Sequence, residues 1–148
     1  MDNVTGESQD VNHEGEVVVL SWSWGMNSGD LRGGRTGGGY GVGTTEPLRL
    51  VKLVDKSSIT LMGFVQTGKV TESALLTVRK AGQTPLEYLT IEMKSVRVTS
   101  LKVDSEGSQL VERVDLSFSE VNVSYRPQAQ DGSGGPASSL LWKLDHLE

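Results

Sequence analysis

With 148 residues, 36% of them apolar, the chain has the length of one domain and enough apolar content for a core. Its formal net charge of −5, with the acids scattered, argues against a nucleic-acid binder, because phosphate contacts need clustered Lys and Arg and the nearest approach is Arg32 with Arg35. The absence of cysteine removes disulfides, thiolate zinc sites and cysteine nucleophiles, and no apolar run approaches the roughly 18 residues of a membrane span.

Met1 to Gly15 is polar and turn-rich and lacks the basic and apolar regions of a signal peptide, so the chain is expected to be made in the cytoplasm. Val17 to Trp24 reads as a buried strand ending at Gly25. It carries two of the three tryptophans, and strand alternation puts Trp22 and Trp24 on one face and Ser21 and Ser23 on the other. A core role is the expectation for the pair, with a stacking platform for sugars as the alternative. Residues 29–43 hold eight glycines together with Arg32, Arg35 and Tyr40; lying between two strand-like runs, they read as a long exposed hairpin loop.

Pro47 to Val54 is apolar and β-branched enough for a second strand. Behind it, Asp55, Ser57 and Ser58 are candidate N-caps for a helix over 55–67, in which Ile59, Leu61, Met62, Phe64 and Val65 recur at helical spacing and Gly68 supplies the stop. Three turns are not stable alone, so this helix must lie across a sheet.

Beyond Lys69 the pattern is all strand. Ala74, Leu76 and Val78 alternate, a turn follows over Ala81 to Pro85, and Leu89, Ile91 and Met93 then alternate on odd positions. The phase moves to Val96 and Val98 and back to Leu101 and Val103. Val114, Leu116 and Phe118 are even, whereas Val121, Val123 and Tyr125 are odd. A phase switch requires a bulge or a bend, because an unbroken strand would turn half its apolar set to water. Asp104 and Glu106 read as a turn, Asp131 to Ser139 as a loop, and Leu140, Leu141, Trp142 and Leu144 as a closing strand. The fold class that follows is all-β with one α-helix, a compact barrel or two-sheet sandwich of curved, bulged strands with a short flanking helix, in a single domain over 1–148.

The chemistry-bearing motifs are weak. Gly63 to Lys69 has the spacing of a phosphate-binding loop, yet Val70 stands where a magnesium-binding Ser or Thr belongs and the glycines fall within and after the helical pattern. His13 and His146, the two histidines, lie in polar segments at opposite ends, which argues against a metal pair or a catalytic dyad. No catalytic, metal or cofactor residue is assigned, and the chain is expected not to be an enzyme.

Taken together, Gly6-Glu7-Ser8, His13-Glu14, Val19 to Met26, the glycine-rich stretch and Val54 to Ser58 resemble the haemolysin-coregulated proteins, the Hcp family of the bacterial type VI secretion system. Val78 to Gly82, Glu87-Tyr88-Leu89 and Val123 to Gln128 follow in the same order, so the resemblance runs from Gly6 to about Trp142. It implies a subunit of the inner tube: a homo-hexameric ring, stacked into a tube, that carries or protects effectors in its lumen, works with sheath and spike proteins, and leaves the cell through its own apparatus. It also implies Ser23 as a cargo-contacting residue and Arg32, Arg35 and Tyr40 as contacts between stacked rings, with no cofactor and no membrane insertion. One departure stands out. Only five residues precede Gly6, where the family usually has a further apolar strand, and a missing edge strand would leave backbone groups unpaired. The reading from a different class is a monomeric β-sandwich module that binds carbohydrate or protein.

Overall fold

The computed structural model describes residues 1–29, 43–81 and 85–144. Nine strands and one helix follow in the order β1 (Ser21–Ser23), β2 (Met26–Asn27), β3 (Thr44–Thr45), β4 (Leu48–Leu53), α1 (Lys56–Thr67), β5 (Val70–Arg79), β6 (Glu87–Glu106), β7 (Gln109–Ser117), β8 (Glu120–Tyr125) and β9 (Ser138–Lys143). Strand neighbours run β1-β4-β7-β6-β8-β9, with β5 also on β6, and β2 and β3 form a separate two-stranded ribbon. The all-β class with one helix is therefore observed as two sheets, and among the described residues the larger one does not close into a barrel.

The chain packs as two compact units. The first comprises the described residues of Met1–Asn3, Lys69–Arg97 and Phe118–Glu148. Its core follows from cross-strand rows. Ala74 of β5 faces Met93 of β6, which faces Val121 of β8, which faces Trp142 of β9, so one row of apolar side chains crosses four strands. Met93 and Val121 are almost wholly buried, and burial of each such side chain is worth roughly 1.5–3 kcal/mol. The N-terminal residues join this unit at the outer edge of β5, where Asp2 N donates to Ser73 O at 3.2 Å and Ser73 N donates to the Asp2 carboxylate at 2.8 Å. The expected closing strand, β9, is an edge strand instead, and Leu140 and Leu141 remain more than half exposed.

The second unit comprises the described residues of Val4–Gly68 and Val98–Ser117. Its buried side chains include Leu48 of β4, Leu61 and Phe64 of α1, Val98 of β6, and Val111, Val114 and Leu116 of β7. Asp55 caps the helix: its carboxylate accepts from Ser57 N at 2.9 Å, while Ser58 Oγ accepts from Asp55 N at 3.1 Å, a reciprocal capping box. Gly68 ends it in the left-handed region (φ 66°), its N–H donating to Phe64 O. Gly63 thus lies inside a helix and Gly68 at its C-terminus, the wrong polarity for a phosphate loop. Of the five apolar positions in the helical pattern, only Leu61 and Phe64 are buried; Ile59, Met62 and Val65 are exposed, because the buried stripe runs through Ser57, Ser58, Leu61 and Phe64.

Two of the three phase switches have a visible physical cause. In β6 the switch from Met93 to Val96 falls on Ser95, whose φ of 51° is a conformation uncommon outside glycine. The switch from Phe118 to Val121 is a break between two strands, β7 ending at Ser117 and β8 starting at Glu120. Near the N-terminus, Gly6 is buried and pressed against the chain: a Cβ there would stand 2.3 Å from Glu16 O, so no larger residue fits without moving backbone.

Candidate functional site

The expected buried strand over Val17 to Trp24 is reduced to Ser21–Ser23, with Val18 and Leu20 more than half exposed. The reason is topological: among the described residues β1 is the edge of its sheet and has β4 alone as a neighbour. Its facing is nevertheless as alternation requires. Trp22 lies opposite Leu50, which lies opposite Val114, so the indole shares the face that buries Leu48, Val114 and Leu116. At the rim of that face Trp22 stays 36% exposed, which corrects the expectation of a core residue. Trp24 is half-buried and donates its indole N–H to Glu46 O at 3.0 Å.

The opposite face is polar. Ser23 faces Arg49, and Arg49 faces Asp115; one step along, Ser21 faces Val51 and Val51 faces Arg113. With Ser100 and Lys102 of β6, these residues line a shallow, open cleft of about 400 Å³. Arg49 Nε lies 3.7 Å from Asp115 Oδ2, beyond hydrogen-bond distance. Arg113 donates to Glu106 Oε1 at 2.9 Å, and Lys102 Nζ stands 3.7 Å from Asp104 Oδ1. Asp104 and Glu106, expected in a turn, are the last rungs of β6, and the turn itself is Gly107–Ser108.

A second charged cluster lies on the buried face of the same strands, and sequence reasoning missed it. Lys52 of β4 faces Glu112 of β7, and their side chains are 1% and 0% exposed. Lys52 Nζ shares its three protons among four acceptors, Glu112 Oε2 at 2.6 Å, Leu53 O at 2.9 Å, and Asp55 Oδ1 and Ser58 Oγ at 3.1 Å each, and Ser58 Oγ in turn donates to the same Glu112 oxygen at 2.9 Å. Glu112 Oε1 is buried without a hydrogen-bond partner among the described residues. Burial acts to raise the Asp55 pKa, but hydrogen bonds from Ser57 and Lys52 and the Lys52 charge outweigh it, and the carboxyl lies below its ordinary value. The signal was present in the sequence: Lys52 interrupts the apolar face of Leu48 and Leu50, and Glu112 that of Val114 and Leu116. Both clusters lack the makings of a metal centre; no group of three or more metal-ligating side chains occurs among the described residues.

Arg32, Arg35 and Tyr40 lie outside the described residues, as do His146 and most of the turn over Ala81 to Pro85. His13 Nδ1 is 2.9 Å from Glu16 Oε2. No helix among the described residues is long and apolar enough to cross a membrane.

Comparison with known proteins agrees across methods. The profile of the family described as "Type VI secretion system effector, Hcp" matches residues 1–125. Protein hcp1 of Pseudomonas aeruginosa is 44% identical over 139 residues, spanning 90% of this chain and 86% of that protein. Among solved structures, a type six secretion system protein superposes with a TM-score of 0.87 at 25% identity, covering 97% of this chain and 92% of that one. Hcp1 from Salmonella typhimurium does so with a TM-score of 0.78 at 28% identity, covering 97% and 89%. With profile, sequence and fold in agreement over nearly its whole length, this chain belongs to the Hcp family of type VI secretion proteins.

Proposed function

We propose that the chain is the tube subunit of a type VI apparatus, acting as a single domain without enzymatic activity or cofactor. Six copies close into a ring through a heterologous contact, and rings stack through a second, open one, so that one subunit yields both a ring and a filament. The polar face of β1, β4 and β7 lines the lumen, where Ser23 meets passenger effectors. The segment 29–43, with Arg32, Arg35 and Tyr40, bridges successive rings. The tube is assembled in the bacterial cytoplasm with sheath and spike proteins and leaves the cell through the type VI apparatus itself.

The observation that carries this reading, beyond family membership, is the division of one sheet into a buried apolar face and a face of small and charged side chains around Ser23. Light scattering coupled to size-exclusion chromatography, followed by electron microscopy, tests it: rings are expected, and monomers alone at high concentration would overturn it. Ser23→Trp is expected to leave the ring intact and reduce passenger retention several-fold, since a bulky side chain on an open face blocks contacts without disturbing the core. Unchanged retention would remove Ser23 from the passenger surface.

The exposure of Trp22 favours one second reading, a monomeric carbohydrate-binding module. Partial exposure already red-shifts tryptophan fluorescence, so a saturable change on adding sugars is the discriminating signal.

A further inference from the structure

Ser23 and Arg49 stand directly opposite each other on β1 and β4, with their side chains on the same polar face. The Ser23 hydroxyl makes no hydrogen bond among the described residues. Arg49 is 57% exposed, and its single polar contact there is the 3.7 Å approach of Nε to Asp115. A guanidinium has five N–H donors in a fixed fork, so both terminal nitrogens remain available. Of the other cations of the cleft, Arg113 is hydrogen-bonded to Glu106 at 2.9 Å, whereas Lys102 stands 3.7 Å from Asp104 and, like Arg49, makes no side-chain hydrogen bond among the described residues. Arg49 is thus the cation that sets a planar fork of unused donors directly beside an unused hydroxyl. Arg49, Lys102 and Arg113 line the cleft with Asp115, while Asp104 and Glu106 stand against Lys102 and Arg113, so the charges balance and the open fork of Arg49 is what a carboxylate would meet.

We propose that Ser23 and Arg49 together form a carboxylate-recognition point, which selects passengers that present an exposed Asp or Glu side chain to this face. The inference rests on the passenger-carrying reading above and names the chemistry of the passenger. The terminal nitrogens of Arg49 donate side by side to the two carboxylate oxygens, and the Ser23 hydroxyl donates to one of them. Asp115, 3.7 Å from Nε, leaves the terminal edge of the fork unoccupied. The geometry makes Ser23 a partner in recognition as well as a small residue that leaves room.

Fluorescence anisotropy with a labelled Glu-rich decapeptide and its Gln-rich counterpart tests this, with ring state followed by light scattering in the same samples. The Glu peptide is expected to bind at least fivefold more tightly than the Gln peptide, with the difference shrinking at high salt. Arg49→Ala should weaken the Glu peptide about tenfold and erase the preference, and Arg49→Lys should restore only part of it, because an ammonium lacks the fork. Equal binding of the two peptides, a preference that survives Arg49→Ala, or tighter binding of an oligothymidylate than of the Glu peptide would overturn the proposal. So would a change of ring state on Arg49→Ala, because the cleft would then be covered by another copy. An Arg49-dependent preference in a protein that forms no rings would support carboxylate recognition while removing the tube reading.

Discussion

Strands β4 and β7 carry an ion pair on each face, three rungs apart, and the two pairs differ in almost everything except their chemistry. Lys52 and Glu112 are within 2.6 Å and sealed from water; Arg49 and Asp115 are 3.7 Å apart and open to it. In the sealed pair both charges have lost their hydration, and neither can be left alone without a penalty of several kcal/mol. In the open pair water solvates both ends, and the contact contributes at most about 1 kcal/mol. A pairing of one cation with one carboxylate therefore acts as a structural fastener on one face and as free binding capacity on the other, and burial decides which.

Breaking the sealed pair should have the largest effect. Glu112→Ala strands the Lys52 charge in the interior with Asp55 as its remaining carboxylate, and urea denaturation is expected to show a loss of about 3–5 kcal/mol. Lys52→Met with Glu112→Leu removes both charges, and the double variant should regain most of that stability. If it stays as unstable as Glu112→Ala alone, packing and not charge is what the site supplies.

Asp55 sharpens the comparison because it is only partly covered and serves both the helix and the sealed pair. Asp55→Ala is expected to cost about 1–2 kcal/mol through the lost cap. Its pKa in the folded protein is below the ordinary 3.8, so its contribution is present above that value and is lost as pH falls through the lower folded one. The stability gap between wild type and Asp55→Asn should therefore be constant from pH 5 to 8 and shrink below pH 4. A gap that widens on acidification would reverse the assignment.

The smallest effect belongs to the open pair. Arg49→Ala should change stability by no more than about 1 kcal/mol, although it changes binding about tenfold. A stability loss as large as that of Glu112→Ala would mean that the open face is buried in the working protein.

How much of this was legible in the sequence depended on the range of the interaction. The helix was readable at both ends, because Asp55, Ser58 and Gly68 act within one turn of where they stand. The phase switch at Ser95 was readable too, since alternation is a local property, and so was the facing of Trp22 and Ser23. The exposure of Trp22 was not, because it depends on β1 having one neighbour and not two, and pairing is decided between distant segments. Lys52 and Glu112 were hidden for the same reason: each is one charged residue on an otherwise apolar stripe, and they meet only through the β4–β7 register. The cleft around Ser23 combines four strands, of which only β1 supplied a sequence clue.

The distance along the chain between Lys52 and Glu112 sets an order of events during synthesis. Sixty residues separate them, so at 5–20 residues per second Lys52 is made roughly 3–12 s before its partner exists. During that interval α1 can be capped by Asp55, but the seat it shares with Glu112 has not been translated. The second unit therefore cannot lock from its N-terminal segments alone. The nascent chain carries a hydrated lysine on a face that turns dry only when the strand bearing its partner arrives.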